Sequence, residues 1–236
     1  VAFANGAAGW QKDAIATYNM SCGTYVPDDN FEQALIDLGI DSDNTLNNFV
    51  PTEDVSNILT LNVSGLGISD LTGIQDFIAL EILNCSNNSL LELDVANNLA
   101  LINLNCSFNQ IQHLDFTLNS ALTSLLCNDN MLLTLNIENG ANAALGNFNA
   151  TNNPNLYCIN VDDSILGSIS GSWQKDDIAS YDGDCINNRY TLIPDNLFEQ
   201  ALIDLGYDYA IDGQVLTSNI EHIVSLDISD ESISDL

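Results

Sequence analysis

The sequence predicts an α/β solenoid, a stack of rungs of about 21 residues with short parallel strands, few convex-side helices and a short helical cap opening each cassette. Three observations predict it. The chain repeats itself at large scale: WQKDAIATYNMSC (10–22) returns as WQKDDIASYDGDC (173–185), TYVPDDNFEQALIDLG (24–39) as TLIPDNLFEQALIDLG (191–206), and LNVSGLGISDL (61–71) as LDISDESISDL (226–236), at offsets of 163 to 167. Inside the first cassette, residues 58–158 repeat again about every 21 positions. The third observation is that 46% of the residues are hydrophobic, enough to fill a core and to exclude wholesale disorder.

Residues 1–22 read as the end of a preceding linker unit. Their opening, VAFANGAAGW, lacks the basic start and long apolar stretch of an export signal. Because the cassette begins and stops out of phase, the chain is expected to be part of a longer one with further cassettes on either side. Residues 23–57 predict a helical cap. Pro27 with Asp28 or Asp29 starts a helix, Phe31, Ala34, Leu35 and Leu38 fall on one face of it, and Gly39 ends it. That stripe covers the open core of the first rung. Phe198, Ala201, Leu202 and Leu205 repeat it in a second cap, 191–219, and 220–236 open a second array.

The first array, 58–162, carries the pattern L-x-x-L-x-C-x-x-N-x-L. Its first apolar positions are Ile58, Leu80, Leu101, Leu122 and Leu145. Three residues on stand Leu61, Leu83, Leu104, Leu125 and Phe148, and two further on Val63, Cys85, Cys106, Cys127 and Ala150. A strand puts the last two sets on one inward face. Asn88, Asn109, Asn130 and Asn153 follow, where an amide side chain can bond loop backbone turning inward. Leu93 and Val95, Leu114 and Phe116, and Leu135 and Ile137 suggest a second short ladder. A rung this short leaves little room for a helix, so extended or 3-10 connections are expected on its convex side.

Six cysteines divide into two kinds. Cys85, Cys106 and Cys127 recur every 21 residues at an inward position and read as small hydrophobes; no repeated His stands beside them to make a zinc site. Cys158 and Cys185 bracket a 28-residue stretch and are expected to form a disulfide that staples the linker 163–190, joining the end of one array to the start of the next cassette. Cys22, the counterpart of Cys185, would then pair upstream of Val1.

These LNCSNN and LDVANN units resemble leucine-rich repeats of the type found in secreted proteins of Bacteroidetes and flavobacteria. YVPDDNFEQALIDLG followed by ISDLTGIQDF is similar to the amino-terminal cap of the same proteins. The resemblance covers nearly the whole chain. It implies an extracellular or outer cell-surface location and export, commonly by the type IX system with a carboxy-terminal sorting domain.

Charge narrows the function further. With 33 acidic residues against Lys12, Lys175 and Arg189, the net charge of −30 excludes a nucleic-acid backbone binder and opposes an anionic membrane. No apolar run approaches a membrane span. Charged residues are only 15% of the chain against an ordinary share of about 25%, so the surface is mainly neutral and polar, as suits a long water-exposed scaffold. His113 and His222 stand apart from any repeated Ser and Asp set, and no phosphate loop or nucleophile elbow is present, so no enzyme is expected.

The candidate binding face lies between the inward strand positions: Glu81, Ile82 and Asn84; Ile102, Asn103 and Asn105; Thr123, Ser124 and Leu126; Gly146, Asn147 and Asn149. It is neutral and lacks aromatics for sugar stacking. Calcium is a candidate ligand of the acidic clusters at Asp28, Asp29 and Asp37, at Asp41 and Asp43, at Asp162 and Asp163, and at Asp204, Asp208 and Asp212, none of which follows the twelve-position EF-hand pattern. Two function classes fit: a non-catalytic surface protein for adhesion, recognition or display, binding protein or glycan, and a structural spacer or self-assembling filament or sheath subunit whose partners are further copies of itself.

Overall fold

The computed structural model describes residues 23–162, 165, 171–183, 185, 190–220 and 222–228. The linker unit 1–22 with Cys22, Asp163 and most of the start of the second array lie outside them. The first cap comprises β1 (Thr24–Tyr25), α1 (Asp29–Asp37), β2 (Phe49–Val50) and α2 (Thr52–Val55). β1 and β2 pair antiparallel. Asp28 caps α1, its Oδ1 accepting from the Asn30 and Phe31 amides, and its Oδ2 accepts from the Ser69 amide, the Ser69 hydroxyl and the Asp70 amide. One carboxylate thus starts the helix and ties it to the first rung. Burial alone would raise the Asp28 carboxyl, but the Ser69, Phe31 and Asp70 donors outweigh it and hold it below its ordinary value.

The apolar stripe of α1 is shorter than the spacing predicts. Phe31, Ala34 and Leu35 are buried, but Leu38 and its counterpart Leu205 are 52% and 50% exposed. Leu38 is already the C-cap, its amide bonded to the Ala34 carbonyl, and sits on the rim as Gly39 turns the chain away with φ 68°. The interior side of the helix carries instead a charged residue, Glu32, which is fully buried.

The rungs follow. β3 (Thr60–Asn62), β4 (Ile82–Asn84), β5 (Asn103–Asn105), β6 (His113–Asp115), β7 (Ser124–Leu126), β8 (Thr134–Asn136), β9 (Asn147–Ala150), β10 (Cys158–Asn160), β11 (Gln174–Lys175) and β12 (Ser180–Asp182) form two parallel sheets. One has the order β3-β4-β5-β7-β9-β11 and the other β6-β8-β10-β12. Their registers superpose Leu61, Leu83, Leu104, Leu125 and Phe148 in the first sheet and Leu114, Leu135, Ile159 and Tyr181 in the second. The protein is therefore a leucine-rich-repeat-type solenoid with rungs of 21 to 24 residues, read from those aligned positions. The convex connections include 3-10 turns at Ile74–Asp76 and Asn142–Ala144. The second ladder starts one rung later than predicted: Leu93 and Val95 are buried but not in a strand.

The core is a continuous column closed by Phe31 and Phe77 at the cap end and by Phe148, Trp173 and Tyr181 at the other. The second cap repeats the first with β13 (Tyr190–Leu192), α3 (Asn196–Asp204), β14 (Gln214–Leu216) and α4 (Thr217–Ile220), and builds its own small core on Ile193, Leu202 and Val215.

Two asparagine ladders clamp the rungs. Asn109 Nδ2 donates to the carbonyls of Cys106 in its own rung and Cys85 in the one before, while its Oδ1 accepts the Leu90 amide. Asn88, Asn130 and Asn153 repeat the arrangement. On the convex side Asn98 donates to Ile74 and Phe77, and Asn119 to Val95 and Asn98, a ladder that the period of the Leu and Cys positions does not announce. Its signal is N-x-x-L at Asn98 and Asn119; in the next rung Asn139 donates to the Asn119 carbonyl, while Asn142 bonds Ile137 of its own turn.

The turn before each inward Asn needs a left-handed residue, supplied by Asn87, Phe108, Asp129 and Asn152 with φ of 55° to 59°. Phe108 is the poor choice, since a bulky side chain gains nothing there and is half exposed. Phe108→Asn is expected to raise stability by about 1 kcal/mol, read as a higher denaturation midpoint; an unchanged or lower midpoint would show that the ring contributes more than the strain costs.

Candidate binding face

The first sheet builds the candidate site. Inward Leu61, Leu83, Leu104, Leu125 and Phe148 alternate with two outward rows in register: Thr60, Ile82, Asn103, Ser124 and Asn147, then Asn62, Asn84, Asn105, Leu126 and Asn149. Glu81, Ile102 and Thr123 lie at the strand entries, where each carbonyl accepts two amides of the next rung. The structure thus gathers the sequence-predicted face into one surface and adds Thr60 and Asn62 to it.

The second row has a directed chemistry. Asn62, Asn84 and Asn105 each turn Oδ1 onto the amide and hydroxyl of the serine two residues on, and Asn149 does the same with Thr151. Their acceptors are consumed, which orients the side chains and leaves Nδ2 as the outward group. Asn62, Asn84 and Asn105 are therefore amide donors on adjacent strands, spaced by the strand separation of about 4.8 Å, and Leu126 stands between them and the fourth donor, Asn149. In the first row Asn147 Nδ2 donates to Ser124 Oγ, so that end is tied across strands.

Beneath this face Cys85, Cys106 and Cys127 form a buried stack of free thiols, each 3.5 to 3.6 Å from a carbonyl oxygen of the next strand. Burial pushes the Cys106 thiol up to about 12 and raises Cys85 and Cys127 as well. They are neutral packing groups with none of the thiolate character that metal binding or nucleophilic attack requires. Cys158 and Cys185 are joined in a disulfide.

The remaining candidates have separate surroundings. Asp28 and Asp162 are consumed by amides, Asp162 accepting from Gly140 and Asn142. Asp29 is exposed in the first turn of α1, and Asp204 accepts from Gln200 Nε2. Asp208 and Asp212 do come together, with a partner that the spacing of aspartates does not reveal, Glu199. His113 bonds Thr134 across the second ladder, and His222 lies in the turn after α4. No catalytic cluster is formed among the described residues. A groove of about 1290 Å³ runs along the second sheet past Leu118, Leu133 and Tyr157 to Thr217 of the second cap. Because both cassettes line it, it is a cleft at their junction and not a face that each rung presents.

Among solved structures, the chain is similar to the functional domain of InlJ from Listeria monocytogenes, described as including a cysteine ladder, at 26% identity and a TM-score of 0.48 over 57% of this chain and 31% of that one. It is also similar to an internalin, inlF, from Listeria monocytogenes, at 19% identity and a TM-score of 0.46 over 64% of this chain and 56% of that one. The matched region is thus less than two thirds of either of those chains. No protein-family model and no curated protein matches the sequence.

Proposed function

We propose that this chain is a non-catalytic repeat module of an extracellular or outer-surface protein, exported as type IX cargo as its sequence resemblance implies, and that it recognises a protein partner through the first sheet. The observation that carries the reading is the row of outward amide donors at Asn62, Asn84, Asn105 and Asn149, each fixed by its own turn. Preorganised donors, three on adjacent strands and the fourth beyond Leu126, suit a surface rich in carbonyl or hydroxyl acceptors. The net charge of −30 adds attraction for a basic partner, and the absence of aromatics from both rows speaks for a protein over a stacked sugar. The Cys158–Cys185 disulfide supports an oxidising compartment.

Asn84→Asp with Asn105→Asp tests this reading, because each aspartate keeps the Oδ1 acceptor of its turn and replaces the outward donor by a carboxylate oxygen. The added charge alone would strengthen attraction for a basic partner, so weaker binding reports the lost donor. Purified chain is applied to immobilised surface proteins and to an array of glycans. Saturable protein binding that the double substitution weakens tenfold or more, at unchanged melting temperature, is the expected result. Binding confined to glycans would move the ligand class. Loss of all saturable binding together with concentration-dependent self-association in sedimentation would favour the spacer or filament reading.

A further inference from the structure

The second cap holds a carboxylate cluster that its twin in the first cap lacks. Glu199 on α3 is fully buried, and its Oε1 accepts from the amides of Asp212, Gly213 and Gln214, closing the loop between α3 and β14. Its Oε2 is buried with no hydrogen-bond partner, and so is Oδ2 of Asp208. One carboxylate oxygen each of Glu199, Asp208 and Asp212 lies within 4.8 Å of the others. Three anions so close repel one another unless a cation or a proton intervenes.

The first cap solves the same problem differently. Glu32, the counterpart of Glu199, spreads the loop amides over both oxygens: Asn47 and Phe49 donate to Oε1 and Asn48 to Oε2. The position of Asp212 is taken by Asn47, so that loop position brings no carboxylate to the buried glutamate. Asp41, the counterpart of Asp208, is raised by its own burial and by the charges of Asp43 and Glu32. Its Oδ2 is buried without a partner, as that of Asp208 is, but among the described residues no third carboxylate joins it and Glu32 within ligand distance. In the second cap the third carboxylate and the unpartnered Glu199 oxygen offer ligands instead.

We propose that Glu199, Asp208 and Asp212 form a divalent-cation site in the second cap, with calcium the ion it suits best. Calcium bonds oxygen at about 2.3–2.6 Å, so oxygens up to about 4.8 Å apart can share one ion, and its flexible coordination tolerates three protein carboxylates completed by water. Magnesium demands a tighter octahedron. The site pins the 207–214 loop to α3, and a dissociation constant of about 10⁻⁴ to 10⁻³ M is expected, as in extracellular modules.

The test uses the full 236-residue chain, stripped with chelator and titrated with terbium. Tyr207 and Tyr209 flank Asp208 and serve as sensitisers, whereas Ile40 and Ser42 flank Asp41 in the first cap. Sensitised emission should saturate, be displaced by millimolar calcium, and weaken at least tenfold in Asp208→Asn and in Asp212→Asn, the latter restoring the first cap's residue. Glu199→Gln can unfold the cap, so the two Asn variants carry the test without it. Emission identical in wild type and both Asn variants would overturn the proposal, showing only diffuse binding to an acidic surface. Failure of 10 mM calcium to compete would overturn it as well.

Discussion

Replacing Asn109 by alanine is expected to lower the stability of the array by about 3 kcal/mol, read as a shift of the urea midpoint. The magnitude follows from how unequally the side chain's partners depend on it. Cys85 O also accepts from Asn88, and Cys106 O also accepts from Asn130, so each carbonyl keeps one donor when Asn109 is lost. The Leu90 amide has Asn109 Oδ1 as its side-chain acceptor and sits beside a fully buried side chain. One orphaned buried N–H costs about 1–3 kcal/mol, and the lost net bonds and the small cavity add the rest. Asn109→Asp sharpens the comparison. It keeps the acceptor for Leu90 but turns a carboxylate oxygen onto two carbonyls, and is expected to be at least as damaging as alanine. A loss below about 1 kcal/mol in both variants would mean that neighbouring asparagines carry the clamp alone.

The same ladder marks where the sequence could be read and where it could not. The inward Leu and Cys positions and Asn88 to Asn153 were legible because a solenoid writes its tertiary contacts into a linear period. Five of the six strands of the first sheet and the face they display follow from that period alone; the sixth, β11, lies in the segment read as a linker. Glu32 and Glu199 were not legible. A glutamate within the helix reads as a solvated charge, and its burial is decided by amides that the loop brings back 13 to 17 residues later. Repetition was the available signal, since FEQALIDLG keeps its Glu in both cassettes. The polarity of the binding face was hidden for a similar reason. Asn84 and Asn105 are symmetric donors and acceptors in sequence, and become directional only once Ser86 and Ser107 take their oxygens.

Removing the disulfide, in Cys158→Ser with Cys185→Ser, is expected to cost about 3 kcal/mol and to act first on the last rung. A loop closed over 27 residues restricts the unfolded chain by about 3.5 kcal/mol on the entropic account, and the pair encloses both β11 and β12. Each of those strands has a neighbour on one side only, β9 and β10 respectively. Besides the strand ladders, the contacts that hold them include Trp173 Nε1 to the Leu145 carbonyl at 2.7 Å, its ring against Phe148 and Tyr181, Asp176 accepting from the Asn152 and Asn153 amides, and the Cys185 amide on Asn160 Oδ1. In a Trp10→Phe background, which leaves Trp173 as the reporter, the double variant should show red-shifted emission and faster amide exchange in β11 and β12, while β4 and β5 remain protected. Unfolding that stays a single step with an unaltered midpoint and emission would show that the aromatic cluster closes the array without the covalent staple.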